Sequence, residues 1–148
     1  MGIYSLSRSN FTLPSSGNDA LTVIPASGRS IEVCELSVGG LGNTASAAHA
    51  FLARSSGGTT PGGAVTAQPL REAQAAAGFT NATTWSAQPT LGPVLLRLTV
   101  NANGGIYRWV RPPGQNMTFI DGNANEQLSF RPAVGTSTMT FHTIVEEF

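Results

Sequence analysis

The chain has 148 residues and a formal net charge of zero at pH 7, with eight basic and eight acidic side chains. A chain of this length forms one domain and buries a core without disulfides or a structural metal. Zero net charge gives no attraction to nucleic acid or to an anionic membrane, so we expect neither as a partner. All basic residues are Arg, which excludes mechanisms that need a catalytic or phosphate-binding Lys.

The first residues permit two interpretations. Residues 2–13 alternate apolar side chains with Ser, Arg and Asn, and residues 14–18 contain Pro and Gly and resemble a hinge. In one interpretation, residues 1–18 form an arm that adds a strand to a neighbouring protein. The candidate docking side chains of that arm are its large apolar ones: Ile3, Tyr4, Leu6, Phe11. In the other, the segment is the first strand of the sandwich domain, whose remainder is residues 19–148.

Period-two alternation of apolar and polar residues dominates the rest of the chain and predicts β-strands. The predicted strands are residues 21–25, 31–38, 44–54, 83–86, 94–100, 106–110, 117–120, 127–131 and 138–148. The Asn-Gly-Gly of residues 103–105 predicts a hairpin that pairs the strands on either side. Residues 55–63 predict a long surface loop, and the Ala-rich residues 71–78 predict a short helix. We therefore expect an all-β, single-domain antiparallel β-sandwich, most simply an eight-stranded jelly roll.

Catalytic and metal-binding patterns are weak in this sequence. Residues 40–45 match the relaxed Gly-x-Gly-x-x-Ala dinucleotide pattern, but that pattern requires a helix after the strand, and the chain predicts hairpins. His49 and His142 are too far apart in sequence for a paired-histidine metal motif. Cys34 has no basic neighbour in sequence and is expected to be a small core residue. The adjacent acids 146–147 point to opposite faces of a strand. We expect no enzyme activity, no cofactor and no metal.

Several polar and aromatic side chains are candidates for contact with another molecule. Tyr107 and Trp109 share one face of the predicted strand, with Arg108 and Arg111 close by, and this group has the composition of a sugar platform or a protein contact. A position in the core is favoured for Trp109. His142 is expected to be exposed, or at an interface, in the last strand. The candidate interface residues are Arg54, Tyr107, Arg108 and His142.

Three short motifs carry a resemblance to a known class of protein. They are residues 53–61 (ARSSGGTTP), 104–110 (GGIYRWV) and 145–148 (VEEF). With them, the chain from about residue 30 to residue 148 resembles small proteins encoded beside the major capsid gene of tailed bacteriophages. The resemblance implies a capsid decoration (cement) protein, commonly a β-rich homotrimer at the three-fold positions of the head lattice. It brings no catalytic residues with it.

The resemblance also implies partners and a location. The partners would be the major capsid protein, contacted by the arm, and further copies of the chain. No signal peptide or membrane span is recognisable, so we expect a chain made in the host cytoplasm that ends on the outside of the virion head. The alternative is a tail-associated module that binds a receptor or a carbohydrate. A jelly-roll enzyme is the third possibility.

Overall fold

The structure is a computed structural model that describes residues 1–15, 17–114, 119–134 and 137–148. The strands, in chain order, are β1 (Gly2–Thr12), β2 (Leu21–Ile24), β3 (Ser30–Leu41), β4 (Ala47–Ser56), β5 (Thr59–Gly62), β6 (Gln68–Pro69), β7 (Thr80–Ala82), β8 (Thr84–Ala87), β9 (Thr90–Asn101), β10 (Asn103–Val110), β11 (Phe119–Asp121), β12 (Glu126–Val134) and β13 (Thr138–Glu147). A single 3-10 turn, Gly122–Ala124, precedes β12. Within the described ranges, no helix is long and apolar enough to cross a membrane.

Most of these strands form two antiparallel sheets that pack together as a β-sandwich. Sheet A has the order β10-β3-β13-β1-β6, with β11 also paired to β3. Sheet B has the order β7-β2-β12-β4-β9. Strands β5 and β8 form a separate two-stranded ribbon. The predicted all-β antiparallel sandwich is confirmed.

One apolar cluster fills the space between the two sheets because alternate residues of each strand point inward. In β13, Met139, Phe141 and Val145 are buried, whereas His142 is partly exposed. Phe141 of sheet A meets Phe130 of sheet B with 4.7 Å between ring centroids. Burial therefore alternates along the last strand, with one face in the core and the other, which carries His142, outside it.

The predicted hairpin across residues 103–105 is wrong in its pairing. Its two strands exist as β9 and β10, but β9 pairs with β4 in sheet B and β10 pairs with β3 in sheet A. The chain crosses between the sheets at Ala102, whose N–H donates to Ser46 O at 2.8 Å and whose carbonyl accepts from the Gly42 N–H at 2.6 Å. A local turn signal fixes where the chain reverses, but burial of apolar side chains decides which sheet each strand joins.

The short helix predicted for residues 71–78 is also wrong, because these residues form turns and irregular chain. One backbone hydrogen bond lies within the segment, from the Gln74 N–H to Arg71 O at 3.3 Å, and several other polar groups bond to β1. The Tyr4 hydroxyl donates to Ala75 O at 3.0 Å, and the Gln74 amide bonds to both the N–H and the carbonyl of Ile3. Tertiary partners thus outweigh the helix propensity of alanine.

The loop predicted for residues 55–63 is interrupted by strand. Residues 55 and 56 complete β4, and Thr59–Gly62 is β5, which pairs with β8. Of the strand predicted at 117–120, residues 117 and 118 lie outside the described residues, and the other two belong to β11. The remaining predicted strands are present, several of them longer than predicted.

A buried polar network attaches the segment after β8 to sheet B. The Asp19 carboxylate accepts hydrogen bonds from Arg131 Nε at 2.5 Å, from Thr22 Oγ1 at 2.7 Å and from Ser129 Oγ at 2.5 Å. Arg131 also donates to Pro89 O at 2.9 Å, and Trp85 Nε1 of β8 donates to Thr22 Oγ1 at 2.9 Å. Asp19 and Arg131 are both buried, so their charges need each other as partners. We call these four side chains, Asp19, Thr22, Ser129 and Arg131, the Asp19 network.

Candidate functional site

The face of sheet A that points away from the core is the first candidate surface. Arg108 of β10 lies opposite Ser37 of β3, and His142 of β13 lies opposite the same serine on its other side. Cross-strand partners project to the same face of a sheet, so these three side chains form one row. Two of the predicted interface residues, Arg108 and His142, are thereby brought onto one surface, which we call the outer face.

The charge on the outer face is compensated locally. Arg108 donates from Nε and Nη2 to the two carboxylate oxygens of Glu35, at 2.9 and 3.0 Å. The hydrogen bond from Arg108 and the Arg108 charge, with a further contribution from His142, hold the pKa of Glu35 below its ordinary value. A paired guanidinium and carboxylate give the face a polar but neutral centre.

Tyr107 does not share this surface. Neighbours on a strand point to opposite faces, and Tyr107 lies opposite Val38 on the inward side, packed against the edge of the core together with Trp109. Tyr107 and Trp109 share one face, as predicted, but Arg108 projects from the other, so Tyr107 and Arg108 do not form one binding face. Trp109 has the core-facing role that the sequence favoured.

Arg54, the remaining predicted interface residue, lies in β4 of sheet B, remote from sheet A's outer face in the strand order. Its Nη1 donates to Glu126 Oε2 at 2.5 Å, and each side chain is about 30 % exposed. Glu126 also accepts from the Asp121 N–H at 3.3 Å. The contacts of Arg54 connect β4 to the turn before β12, so the predicted four residues do not form one interface.

The predicted docking side chains of the N-terminal arm are largely inside the protein. Residues 2–12 form β1, which lies between β13 and β6, so the interpretation as the first strand is the one observed. Tyr4, Leu6 and Phe11 are buried, and the Tyr4 ring packs edge-on to Phe79 at 5.4 Å. Only Ile3 of the predicted set keeps partial exposure. Side chains that fill the core are not available to a second protein, so the interpretation of this segment as a docking arm is wrong.

A cluster around Arg111 was not predicted from the sequence. Arg111 Nη1 donates to Glu32 Oε2, and Nη2 donates to Glu146 Oε2 at 3.4 Å. Cys34 Sγ lies 3.9 Å from the same Glu146 oxygen. Burial, together with the charges of Glu146 and Glu32, raises the pKa of the Cys34 thiol in spite of Arg111. Only the pairing of β3 with β13 could have revealed this cluster, because Glu32 and Glu146 are far apart in sequence.

The two histidines and the glycine-rich segment considered for catalysis lie in different parts of the fold. His49 bonds to Thr99 Oγ1 at 2.8 Å in sheet B, while His142 lies in sheet A. Residues 40–45 comprise the end of β3 and the connection that follows it, which leads to the strand β4 and not to a helix. Over the part of the chain that is described, no three His, Cys, Asp or Glu side chains are grouped so as to hold a metal ion.

Comparison of the chain with protein-family models, with curated proteins and with solved structures gives no match.

Proposed function

We propose that this chain is a structural virion protein, a decoration or cement protein that binds the outside of a tailed-phage head and stabilises the capsid lattice. Its partners in this proposal are the major capsid protein and other copies of itself, as a homotrimer, and it has no enzymatic role. It would be made in the host cytoplasm. The resemblance of residues 53–61, 104–110 and 145–148 supports the class of protein.

The observation that carries the proposal is the outer face of sheet A. Its central strands are held in register by ladders on both sides of β3 and β13, so the face is rigid. Its side chains mix neutralised charge, at Arg108 and Glu35, with apolar groups such as Ile106 and Ile144. Interfaces between proteins have this mixed composition, and they need no catalytic geometry.

The jelly-roll arrangement belongs to the same proposal. It is supported by the order of the eight principal strands, which is β10-β3-β13-β1 in one sheet and β2-β12-β4-β9 in the other. Successive principal strands change sheets at every connection except the one from β4 to β9. Double-sheet jelly rolls occur in viral capsid and lectin domains, so this arrangement is compatible with a structural virion protein.

The proposal is tested with expanded heads of the encoding phage that lack this protein. Purified protein added to such heads should bind them, and the decorated heads should withstand a higher temperature before releasing DNA. The variant Ser37→Arg places a large cation between Arg108 and His142 and should abolish decoration. Thr99→Arg, on an exposed position of sheet B, is the matched control and should decorate normally.

Two results would contradict the proposal. One is a folded wild-type protein that does not bind heads; the other is Ser37→Arg decorating as well as Thr99→Arg. Co-purification with tails, or binding to a glycan, would favour the tail-associated alternative.

A further inference from the structure

The four edges of the two sheets are not alike. On one side of the sandwich the edge strands are β6 and β7, which have two and three residues, and β6 ends in Pro69. Short edges and edge prolines prevent another strand from adding to a sheet. On the other side the edge strands are β9 and β10, with 12 and eight residues. The second side therefore presents long strand edges.

The strand β10 has little of the usual edge protection. It contains no Pro and, after a bulge between Asn103 and Ile106, it pairs regularly with β3 through Val110. Nothing in the described ranges pairs with its other edge. Its alternate N–H and C=O groups on that edge are available to a strand from outside. β9 is better protected, since it carries Pro93 and is bulged against β4.

Apolar side chains accompany these edges. Ile106 is 82 % exposed and Val110 is 51 % exposed, and Val94 of β9 is 38 % exposed. Val94 and Val110 are each eight residues from Ala102, where the chain crosses between the sheets, so they stand at a similar height on the two strands. Leu96 of β9 and Trp109 of β10 are half-buried and pack against the apolar core at this side of the sandwich. We call this side, formed by Val94, Leu96, Ile106, Trp109, Val110 and the two strand edges, the seam.

The charge near the seam favours contact between identical chains. The cation of β10, Arg108, is already paired with Glu35, and the whole chain has a net charge of zero. Two copies therefore meet without the repulsion that usually keeps equal proteins apart. Arg97 is the one charged residue of β9, and its side chain is exposed.

The shape of the seam specifies its partner further. It offers two strand edges, one from each sheet, separated by the roughly 10 Å spacing of packed sheets. A single extended peptide covers one edge and leaves the other exposed. Copies of this sandwich arranged in a closed ring, with β10 of each copy meeting β9 of the next, cover both edges of every copy.

We infer that the seam is the surface through which copies of this chain associate, with the edge strands β9 and β10 of one copy meeting those of the next. The inference deepens the proposed function and rests on it only for the expected number of copies, which is three. Ile106 and Val110 project to the same side as Arg108, so the seam includes the β10 margin of the outer face, and association through it leaves the rows around His142 free.

The experiment compares seam variants of the full chain with a matched control. Ile106→Arg and Val110→Arg, separately and together, add uncompensated charge to the seam. Leu70→Arg adds the same charge at a residue that is 50 % exposed and lies beside the short edge β6. The mass of each protein is measured by sedimentation velocity and light scattering at micromolar concentrations, and folding is checked by circular dichroism and thermal unfolding.

We expect wild type and Leu70→Arg to be oligomeric and the double seam variant to be a folded monomer. Each single seam variant should weaken association by at least about tenfold, which corresponds to about 1.4 kcal/mol. A trimeric mass supports both proposals, whereas a dimer that the seam variants dissociate supports the seam and contradicts the trimer.

Two outcomes would overturn the inference: a wild-type protein that is monomeric throughout this concentration range, or an oligomer whose mass the double seam variant leaves unchanged. If the double variant does not fold, Ile106→Ser, which removes the apolar group without adding charge, replaces it. A seam that holds the oligomer together while heads remain undecorated would reject the proposed function and leave the seam standing.

Discussion

At the scale of single residues, two adjacent glycines of β3 have different surroundings. A Cβ at Gly40 would lie 2.3 Å from Asn101 O and 2.5 Å from Ala102 O, both of them backbone atoms of the crossover between β9 and β10. A Cβ at Gly39 would have nothing within 4 Å. Gly40 therefore permits close approach of two backbones, and this explains a glycine in the segment that mimics a dinucleotide pattern.

Gly40→Ala should lower the free energy of unfolding by about 1–3 kcal/mol, because backbone oxygens cannot move aside for the added methyl group. Gly39→Ala should leave it unchanged or raise it by about 0.5–1 kcal/mol, since alanine loses less conformational entropy than glycine when the chain folds. Urea denaturation of the two variants measures the difference. Equal stabilities would show that the crossover does not press on β3.

Cys34 provides a pH-dependent prediction. Its pKa is raised, chiefly by burial, so the neutral thiol is favoured in the folded protein. Alkylation by iodoacetamide should therefore have its midpoint at a higher pH than for a free cysteine, whose pKa is about 8.5. The contribution of the protonated thiol to the free energy of unfolding is complete below the pKa of Cys34 in the unfolded chain. It is lost as the pH rises through the pKa of Cys34 in the folded protein.

Cys34→Ser is the control, because it removes the titrating group and keeps its size. The difference in unfolding free energy between wild type and this variant should fall between neutral and alkaline pH. An alkylation midpoint at or below that of free cysteine would contradict the burial of the thiol.

At the scale of elements, β1 shows why an N-terminal strand and an arm look alike in sequence. Both need alternating apolar side chains and exposed backbone hydrogen-bonding groups. What distinguishes them is where the backbone finds its partner. Here β13 supplies the partner within the same chain, in a register from Gly2 with Glu147 to Thr12 with Thr138.

Deletion of residues 2–13 should unfold the protein rather than merely prevent binding to heads. The deletion removes Leu6, which is fully buried, together with three further core side chains, and exposes the edge of β13. Circular dichroism and one-dimensional NMR check the outcome. Ser7→Ala, at an exposed position of the same strand, is the control and should fold normally. A folded deletion variant would restore the arm interpretation.

The ribbon of β5 and β8 depends on the Asp19 network. Asp19→Ala leaves the buried guanidinium of Arg131 without its carboxylate and should cost about 3–5 kcal/mol of stability. Because Trp85 bonds to Thr22 of the same network, its fluorescence should shift towards that of a solvent-exposed indole. Glu72→Gln, at an exposed position, is the control in chemical denaturation. Unchanged stability and fluorescence in Asp19→Ala would show that the ribbon is held by other contacts.

At the scale of the whole molecule, a net charge of zero and the pairing of most arginines bear on the proposed association of copies. The described ion pairs neutralise Arg29, Arg54, Arg108, Arg111 and Arg131 within the chain. If copies associate through the seam as proposed, their contact depends on apolar burial and strand pairing, which salt screens little.

Raising the NaCl concentration from low to high should therefore leave the oligomeric mass unchanged or slightly increased. Sedimentation velocity across a salt series measures this. An oligomer that dissociates as salt is added would indicate association through opposite charges, and would point to a surface other than the seam.

The sequence by itself determined most of the long strands, their inward faces and the sandwich class, because alternation along a strand depends only on which side of one sheet is buried. It did not predict the short strands β5, β6 and β7. It could not determine that residues 94–100 and 106–110 join different sheets. Nor could it determine that polar groups of the Ala-rich segment form hydrogen bonds with β1. Those outcomes depend on contacts between residues distant in the chain.

The candidate surfaces divide in the same way. Arg108 and His142 were recognised as exposed polar residues, but only the pairing of β10 and β13 with β3 placed them in one row. The seam was not visible in the sequence at all, because an edge is a property of strand order. Whether a strand such as β10 has one neighbour or two is decided when all strands compete for partners, and no local pattern records the result.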